Sequence, residues 1–381
     1  MISKRVKKVP HSGIREFFDL VLGMPEVISL GVGEPDFITP WRIREKAITS
    51  LEEGITSYTS NKGLKALREA VVDSLYKKHS LRYDADEEIL ITVGVSEGLD
   101  MALRAILDPN DKVIVVSPHY VAYPALVELN MGKVLYLDTT PQEGYKINLN
   151  KLKRLLRENP KAIIFNYPAN PTGTTYTRRE LELIAKEFSK KDIIVITDEV
   201  YEDIVYKEKH VSFPTLKGMY EKTILLNGFS KGSAMTGFRV GYACGNAQII
   251  QAMMKIHSFA IMCVPTTSQI AAIEALYAQK DIQAMGKEYK RRRDFIVKEL
   301  NRLKLTTPHP QGAFYCFSSV EKYNMKGLDF AKQLLMEEKV AVVPGSAFGV
   351  KYDSFIRISY ASAFDDLKEA IVRIERFLKK L

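Results

Sequence analysis

One pattern recurs in KAIIFNYPANPTG (residues 161–173), KDIIVITDEVYED (191–203) and KTILLNGFSK (222–231). In each segment a short run of branched aliphatic residues is followed by polar residues. Runs that are apolar at every position predict strands buried on both faces, as in a parallel sheet that is covered by helices. A fourth run of this kind, KVIVV, stands at 112–116.

Helical patterns separate these runs, so residues from about 63 to 245 are predicted to form an α/β fold with a mostly parallel sheet. In the segment 178–190, apolar residues recur at helical spacing: Leu181, Ile184, Ala185 and Phe188.

Beyond about residue 286 the pattern changes and predicts a smaller α+β domain. A long charged helix comes first, followed by three strands and an amphipathic C-terminal helix. The helix is expected at 286–303 and the strands at 313–317, 340–343 and 355–359.

The composition is that of a globular protein, with 381 residues of which 46% are hydrophobic and 27% charged. A formal net charge of +9 raises the question of nucleic-acid binding. The basic residues are spread along predicted helix faces beside acids, and the densest runs, at 4–8 and 290–293, are interpreted as solvated surface. We therefore expect no nucleic-acid partner, and at most a mild attraction for anionic metabolites.

The three cysteines, Cys244, Cys263 and Cys316, are far apart and form no CxxC pair. This spacing disfavours both a disulfide framework and a structural zinc site, so no metal is expected. The basic N-terminal residues are not followed by an apolar run, and no apolar run is long enough to span a bilayer. The sequence thus predicts a soluble, cytoplasmic protein without a membrane partner.

Two common motifs are missing: the sequence has no GxxxxGK[ST] loop and no HExxH. Polar residues instead follow the predicted strands: Asn170 after the strand of the first segment, Asp198 after that of the second, and Ser230 with Lys231 after that of the third. Each alone has a simpler interpretation, as a turn residue, a helix N-cap or a surface lysine. Because the carboxyl ends of parallel strands meet at one edge of a sheet, their joint occurrence indicates a ligand site.

These residues lie in segments that resemble the class I/II aminotransferases, which are pyridoxal-phosphate (PLP) enzymes of fold type I. The segments are GVGEPDF (31–37), YTSNKGLKALREAV (58–71), NYPANPTG (166–173), ITDEVYED (196–203), NGFSKGSAMTGFRVGY (227–242) and FIRISYA (355–361). The matches run in family order over nearly the whole chain and are similar to prokaryotic aromatic and aspartate aminotransferases. The resemblance implies a mostly parallel seven-stranded sheet in a large domain (41–286), and a small domain made of 1–40 and 287–381.

The resemblance assigns the chemistry to four residues. Lys231 is expected to hold PLP as a Schiff base and to move the proton between the substrate Cα and the cofactor. Asp198 is expected to pair with the pyridine nitrogen, which keeps the ring protonated and a better electron sink. Asn170 and Tyr201 are expected to donate hydrogen bonds to the phenolic oxygen of the cofactor, which lowers the pKa of the Schiff base.

The cofactor phosphate is expected at residues 94–97, which precede a helix predicted to run through Leu107, because backbone N–H groups such as those of Val95 and Ser96 face an anion there. By resemblance, Arg239 and Ser230 add further donors, and Tyr120 stacks on the PLP ring. Tyr58 matches a tyrosine that reaches the phosphate of the neighbouring subunit, which implies a homodimer with shared active sites.

The substrate is expected to be held by Arg357, which matches the arginine that binds the α-carboxylate, with Asn170 beside it and Gly33 allowing close backbone approach. A solvent-facing strand arginine is the simpler interpretation of Arg357. Three positions depart from the family pattern: Gly228 replaces a phosphate-binding serine, Phe238 replaces a tryptophan, and Ser96 replaces a lysine that aspartate-selective relatives often carry.

The function expected from this is ping-pong transamination from an aromatic or broad range of L-amino acids to a 2-oxo acid such as 2-oxoglutarate. An aspartate- or alanine-preferring aminotransferase is one alternative, and a PLP-dependent β-lyase is another, because fold alone does not separate these reactions. A non-catalytic regulator that binds nucleic acid is the alternative of a different class.

Overall fold

The computed structural model describes residues 1–9, 24, 26–207 and 209–381. The helices are α1 (Lys4–Lys8), α2 (Trp41–Glu52), α3 (Lys65–His79), α4 (Gly94–Ile106), α5 (Ala122–Leu129), α6 (Leu149–Leu155), α7 (Arg178–Ser189), α8 (Ala247–Ala260), α9 (Thr266–Ala275), α10 (Gln279–Arg302), α11 (Gly327–Glu338) and α12 (Phe364–Leu378). The strands are β1 (Ile28–Ser29), β2 (Ile89–Thr92), β3 (Lys112–Ser117), β4 (Lys133–Asp138), β5 (Ala162–Asn166), β6 (Ile194–Asp198), β7 (Thr223–Gly228), β8 (Gly241–Cys244), β9 (Tyr315–Ser319), β10 (Val340–Ala341), β11 (Val343–Pro344) and β12 (Phe355–Ser359).

The central sheet has seven strands in the order β2-β8-β7-β6-β5-β3-β4. The β7, β6, β5, β3 and β4 strands pair in parallel, whereas β8 is antiparallel to both of its neighbours. Strands such as β2 and β7 are buried along almost their whole length, as their apolar sequences predict. The predicted α/β fold with a mostly parallel seven-stranded sheet is confirmed.

The order of the strands brings the polar strand ends together. Asn166, at the end of β5, is the register partner of Asp198, at the end of β6. Asp198 in turn pairs with Leu226 of β7, two residues before that strand ends at Gly228. The loops that carry the predicted site residues therefore leave the sheet at the same edge.

The last part of the chain forms two smaller sheets, β11-β12-β9 and β1-β10, the second with a strand from near the start of the chain. Their apolar residues pack with α10, α11 and α12 in one core, which Val200, Tyr201 and Ile204 also join. The two-domain division at 41–286 stays a prediction.

Three element boundaries differ from the sequence expectations. The helix expected at 286 begins at Gln279, because Ile282 and Met285 continue its apolar face. The strand expected at 313 begins at Tyr315, since Ala313 adopts a left-handed backbone (φ 53°). The run 340–343 divides between two sheets, with Ala341 opposite Ser29 and Val343 opposite Arg357.

A buried ion network anchors the loop that follows β6. The carboxylate of Glu202 accepts from Lys78 Nζ at 2.8 Å and lies 2.9 Å from His79 Nε2, both at the end of α3. Burial opposes its ionisation, but the charges of Lys78 and His79 outweigh burial and hold the pKa of Glu202 well below its usual range. The network fixes the loop directly beyond Asp198.

Candidate active site

A cavity of about 510 Å³ opens at the carboxyl edge of the central sheet. Eleven of the residues predicted for the site line it: Gly33, Val95, Ser96, Tyr120, Asn170, Asp198, Tyr201, Ser230, Lys231, Arg239 and Arg357. Tyr58 does not line it, and its side chain is 81% exposed on the surface. The loops after β5, β6 and β7 thus converge on one space with residues from both ends of the chain.

Lys231 lies in the loop after β7, partly buried in this cavity. Its Nζ donates a hydrogen bond of 2.7 Å to the carbonyl oxygen of Gly33. Burial, together with the positive charges of Arg239 and Arg357, lowers the pKa of this amine to about 8, against the opposing charge of Glu34. A much larger share of the amine is therefore neutral near pH 7 than for an exposed lysine.

Asp198 is the last residue of β6 and is buried, so its carboxylate has little access to water. Its Oδ2 accepts from the Tyr123 hydroxyl at 2.7 Å, and its Oδ1 accepts from the Val200 N–H at 3.2 Å. Burial raises the pKa of Asp198, although these hydrogen bonds and the charge of Lys231 act in the opposite direction. Such a carboxylate fits a cationic or N–H partner from a ligand.

Tyr123 is a site residue that the sequence analysis missed. It stands three positions after Tyr120 in PHYVAYP, and the two rings are 5.7 Å apart in an edge-to-face arrangement. A helical turn through this segment, which the structure shows as the start of α5, would have placed both rings on one face.

An anion-binding geometry is present at the start of α4. The helix begins at Gly94, earlier than expected, so Val95 and Ser96 lie in its first turn, where backbone N–H groups have no partner within the helix. Gly94 has a φ of +69°, and a Cβ there would lie 2.8 Å from Nη2 of Arg239. The guanidinium of Arg239 thus packs directly against the start of α4, so that guanidinium and backbone N–H donors lie side by side.

A second layer supports this turn. Glu97 accepts from the Val93 N–H through Oε2, and its Oε1 lies 2.8 Å from Nδ1 of His257 on α8. The histidine is completely buried, so the pair ties the helix start to the neighbouring helix. Neither residue was predicted, because 160 positions separate them in the chain.

The structure also explains the glycine that departs from the family pattern. A Cβ at Gly228 would lie 2.9 Å from the Cα of Gly241 and 3.1 Å from the carbonyl oxygen of Val240. The close approach of β8 therefore leaves no room for a serine, whereas Ser230 is present and buried in the same loop.

Arg357 is buried in the middle of the three-stranded sheet, with 2% of its surface exposed, so the solvent-facing interpretation is wrong. Nη1 donates to Asn170 Oδ1 at 2.9 Å, and Nη2 donates to the carbonyl oxygen of Gly31. Asn170 is itself held by its N–H, which donates to Asn166 Oδ1 at 2.9 Å.

No carboxylate pairs with this guanidinium among the residues that the structure describes, and burial lowers the pKa of Arg357. A buried cation without an anionic partner is unfavourable, so the site fits an anionic ligand group.

Tyr201 and Tyr315 close one side of the cavity, with their hydroxyl oxygens 2.8 Å apart. A Cβ at Gly33 would lie 2.4 Å from the Tyr315 hydroxyl, so only glycine fits at that position. Tyr315 was not predicted, since nothing in its own segment, GAFYCF, distinguishes it from a core strand residue.

Known proteins that are similar to this chain are aminotransferases. The family model described as aminotransferase class I and II matches residues 25–374. The Bacillus subtilis protein YugH, named as an aminotransferase, is 46% identical over 100% of this chain and 98% of its own length. An aspartate aminotransferase of Pyrococcus abyssi is 42% identical with the same two coverages. The crystal structure of an aromatic aminotransferase from Pyrococcus horikoshii superposes with a TM-score of 0.91 at 40% identity, over 96% of this chain and 99% of that one.

The chain belongs to the class I and II aminotransferase family, with aminotransferases of the aspartate and aromatic types as its relatives. Members of this family use PLP. Within the part of the chain that the structure describes, no helix is both long and apolar enough to cross a membrane.

Proposed function

We propose that this protein is a PLP-dependent aminotransferase that takes the amino group from aromatic or a broad range of L-amino acids. The acceptor is a 2-oxo acid such as 2-oxoglutarate, and the two half-reactions follow each other in a ping-pong sequence. The observation that carries the proposal is the Lys231 amine, whose pKa is lowered to about 8, in one cavity with a buried carboxylate and a buried guanidinium that has no carboxylate partner among the described residues.

The residues of the cavity fit PLP. Arg239, Ser230 and the first N–H groups of α4 would hold the phosphate, and the close packing of Gly94 against Arg239 provides the cradle. Asp198 would pair with the ring nitrogen, and Tyr120 would stack on the ring. Asn170 and Tyr201 would donate to the phenolic oxygen. When bound, PLP supplies the electron sink that weakens the bond from Cα to its hydrogen.

The chain's own groups would do the rest. Arg357 binds the substrate α-carboxylate through its guanidinium, with Asn170 fixing one end of that group at 2.9 Å. Gly33 lets the backbone come close to the same carboxylate. Lys231 Nζ would take the proton from the substrate Cα and deliver it to the cofactor carbon that carries the Schiff base. A lysine of lowered pKa can do this near neutral pH.

The side-chain preference is inferred from the apolar residues in the cavity wall: Val95, Leu99, Val121 and Leu126. Lys231, Arg239 and Arg357 are assigned to the cofactor and the α-carboxylate. Among the described lining residues no further cation remains to pair with a second carboxylate, and Ser96 stands where a lysine would serve that purpose. This favours aromatic and other apolar amino acids over aspartate.

We further propose that the protein is a cytoplasmic homodimer whose partner contributes Tyr58 to the phosphate site. Tyr58 is 81% exposed, and the backbone beside it is tied to α9, since Thr266 donates to the carbonyl oxygen of Ser57 at 2.8 Å. Exposed apolar residues precede this helix at Phe259, Ile261 and Met262. An apolar surface of this kind is suited to a second copy of the chain.

The test is the visible absorption spectrum of the PLP-loaded protein before and after adding one L-amino acid without any oxo acid. We expect the PLP-loaded protein to have a visible absorption band from the Schiff base at Lys231, and tyrosine or phenylalanine to bleach that band. Lys231→Ala should lack both the band and turnover. A much stronger response to aspartate or alanine would leave the reaction standing and overturn the preference. Release of pyruvate and ammonia from a β-substituted amino acid would favour a β-lyase, and absence of any band with PLP would overturn the proposal.

A further inference from the structure

Tyr315 contacts three separate parts of the cavity although it belongs to a strand of the C-terminal sheet. Its side chain is 1% exposed, and its hydroxyl lies 2.8 Å from that of Tyr201. Its ring centroid lies 4.5 Å from the guanidinium carbon of Arg357. The same hydroxyl occupies the space where Gly33 has no Cβ.

We infer that Tyr315 is a positioning residue with two separable tasks. Its hydroxyl directs the hydrogen of Tyr201 towards the cofactor, and its ring holds the guanidinium of Arg357 in place for the substrate carboxylate. The inference rests on the proposed function, because it concerns the PLP and carboxylate sites described above.

The first task follows from counting hydrogens. Each phenol has one hydrogen to donate, and two phenols 2.8 Å apart share one of them. If Tyr201 donates to the phenolic oxygen of the cofactor, the shared hydrogen must come from Tyr315. An oxygen that accepts a hydrogen bond becomes a better donor through its own hydrogen. Tyr315 therefore strengthens the bond that Tyr201 makes, without touching the cofactor itself.

The second task follows from the packing of Arg357. Its guanidinium lies between two rings, at 4.5 Å from the centroid of Tyr315 and at 4.9 Å from that of Phe348. Cation–π contacts stabilise a buried guanidinium without consuming its N–H donors. Those donors stay available for a carboxylate, and the hydroxyl of Tyr315 has no part in this contact.

The hydroxyl is tested by a spectroscopic pH titration of the PLP-loaded protein. Hydrogen bonds to the phenolic oxygen lower the pH midpoint of the visible absorption change, so Tyr315→Phe should raise that midpoint by about half a unit. Tyr201→Phe should raise it further. The double variant Tyr201→Phe/Tyr315→Phe should have the same pH midpoint as Tyr201→Phe alone, because the Tyr315 hydroxyl acts on the cofactor only through the Tyr201 hydroxyl.

Tyr289→Phe is the matched control. Tyr289 is as buried as Tyr315, it belongs to the same core, and its hydroxyl has no hydrogen-bond partner among the described residues. Its removal should leave the titration unchanged. An unchanged midpoint in Tyr315→Phe, or equal shifts in the wild-type and Tyr201→Phe backgrounds, would overturn the first task.

The ring is tested with 3-phenylpropanoate, an unreactive carboxylate that lacks the amine. Tyr315→Phe should bind it as the wild type does, whereas Tyr315→Leu should bind it about tenfold more weakly. Equal affinity in all three proteins would overturn the second task. A failure of the proposed function is distinguishable, since the visible band would then be missing from the wild type as well.

Discussion

The amine of Lys231 differs from other lysines of the chain through its surroundings. It is partly buried, and the guanidinium groups of Arg239 and Arg357 raise the electrostatic cost of its charge. These factors lower its pKa from 10.5 to about 8. A neutral amine is the form that attacks an aldehyde, so the environment prepares the residue for a carbonyl cofactor.

This predicts how the capture of PLP by the cofactor-free protein depends on pH. The neutral fraction of the amine rises about tenfold per pH unit below its pKa and levels off above it. The rate at which the visible band appears should therefore rise up to about pH 8 and then become constant. Stopped-flow absorbance from pH 6 to 10 measures this, with Lys231→Ala as the blank. A rate that still increases tenfold per pH unit between pH 8 and 10 would show an unperturbed lysine.

At the scale of a single element, the first turn of α4 can bind an anion because Gly94 has no side chain and the first N–H groups have no partner within the helix. Gly94 combines a positive φ with the close approach of Arg239, and Glu97 binds the backbone of the residue before the helix. A helix start of this kind attracts an anion through its unpaired N–H groups and its dipole. The pair of Glu97 and buried His257 keeps this turn in place.

Gly94→Ala is expected to weaken PLP binding by at least about tenfold, since the new methyl displaces a charged donor whose hydrogen bonds contribute ~1.5–3 kcal/mol. Gly144→Ala provides the control, because Gly144 has a similar φ of +61° but nothing within 4 Å of its Cβ position. Both variants carry a similar backbone strain of about 1 kcal/mol. The affinity, measured by fluorescence titration, should fall only in Gly94→Ala, and an equal loss in both would assign the effect to strain.

At the scale of the whole molecule, the site extends beyond one chain in our proposal. Eleven predicted residues meet in one cavity, whereas Tyr58 points to the surface next to α9. Exposed apolar residues precede this helix, and a second subunit that packed against them would remove their apolar surface from water. A homodimer would bring Tyr58 to the phosphate of its partner.

Phe259→Asp tests this assembly. The side chain of Phe259 is 88% exposed, and a charge there would be buried without a partner in an interface. We expect the variant to become monomeric and to bind PLP more weakly. Val350→Asp is the matched control, because Val350 is 87% exposed elsewhere on the surface, and it should stay dimeric. Light scattering after size-exclusion chromatography decides between the outcomes; a dimeric Phe259→Asp would argue against this interface.

Much of this molecule could be predicted from local patterns. Apolar runs and helical spacing placed the strands at Ala162 and Thr223 and the helix at Arg178 within a residue or two. They did not show that the run at 340–343 serves two sheets, because pairing partners lie far away in the sequence. Boundary errors arose where a tertiary contact or a left-handed residue such as Ala313 interrupts a pattern.

The sequence by itself determined which residue types stand at the strand ends, because hydrophobic period and motif are local properties of the chain. The tertiary structure alone decided the environment of those residues. It brought Tyr315 to Tyr201 across 114 positions, buried Arg357 away from every carboxylate that the structure describes as ion-paired, and lowered the pKa of Lys231. The physical reason is that burial, hydrogen-bond partners and electrostatic fields depend on segments that only folding brings together.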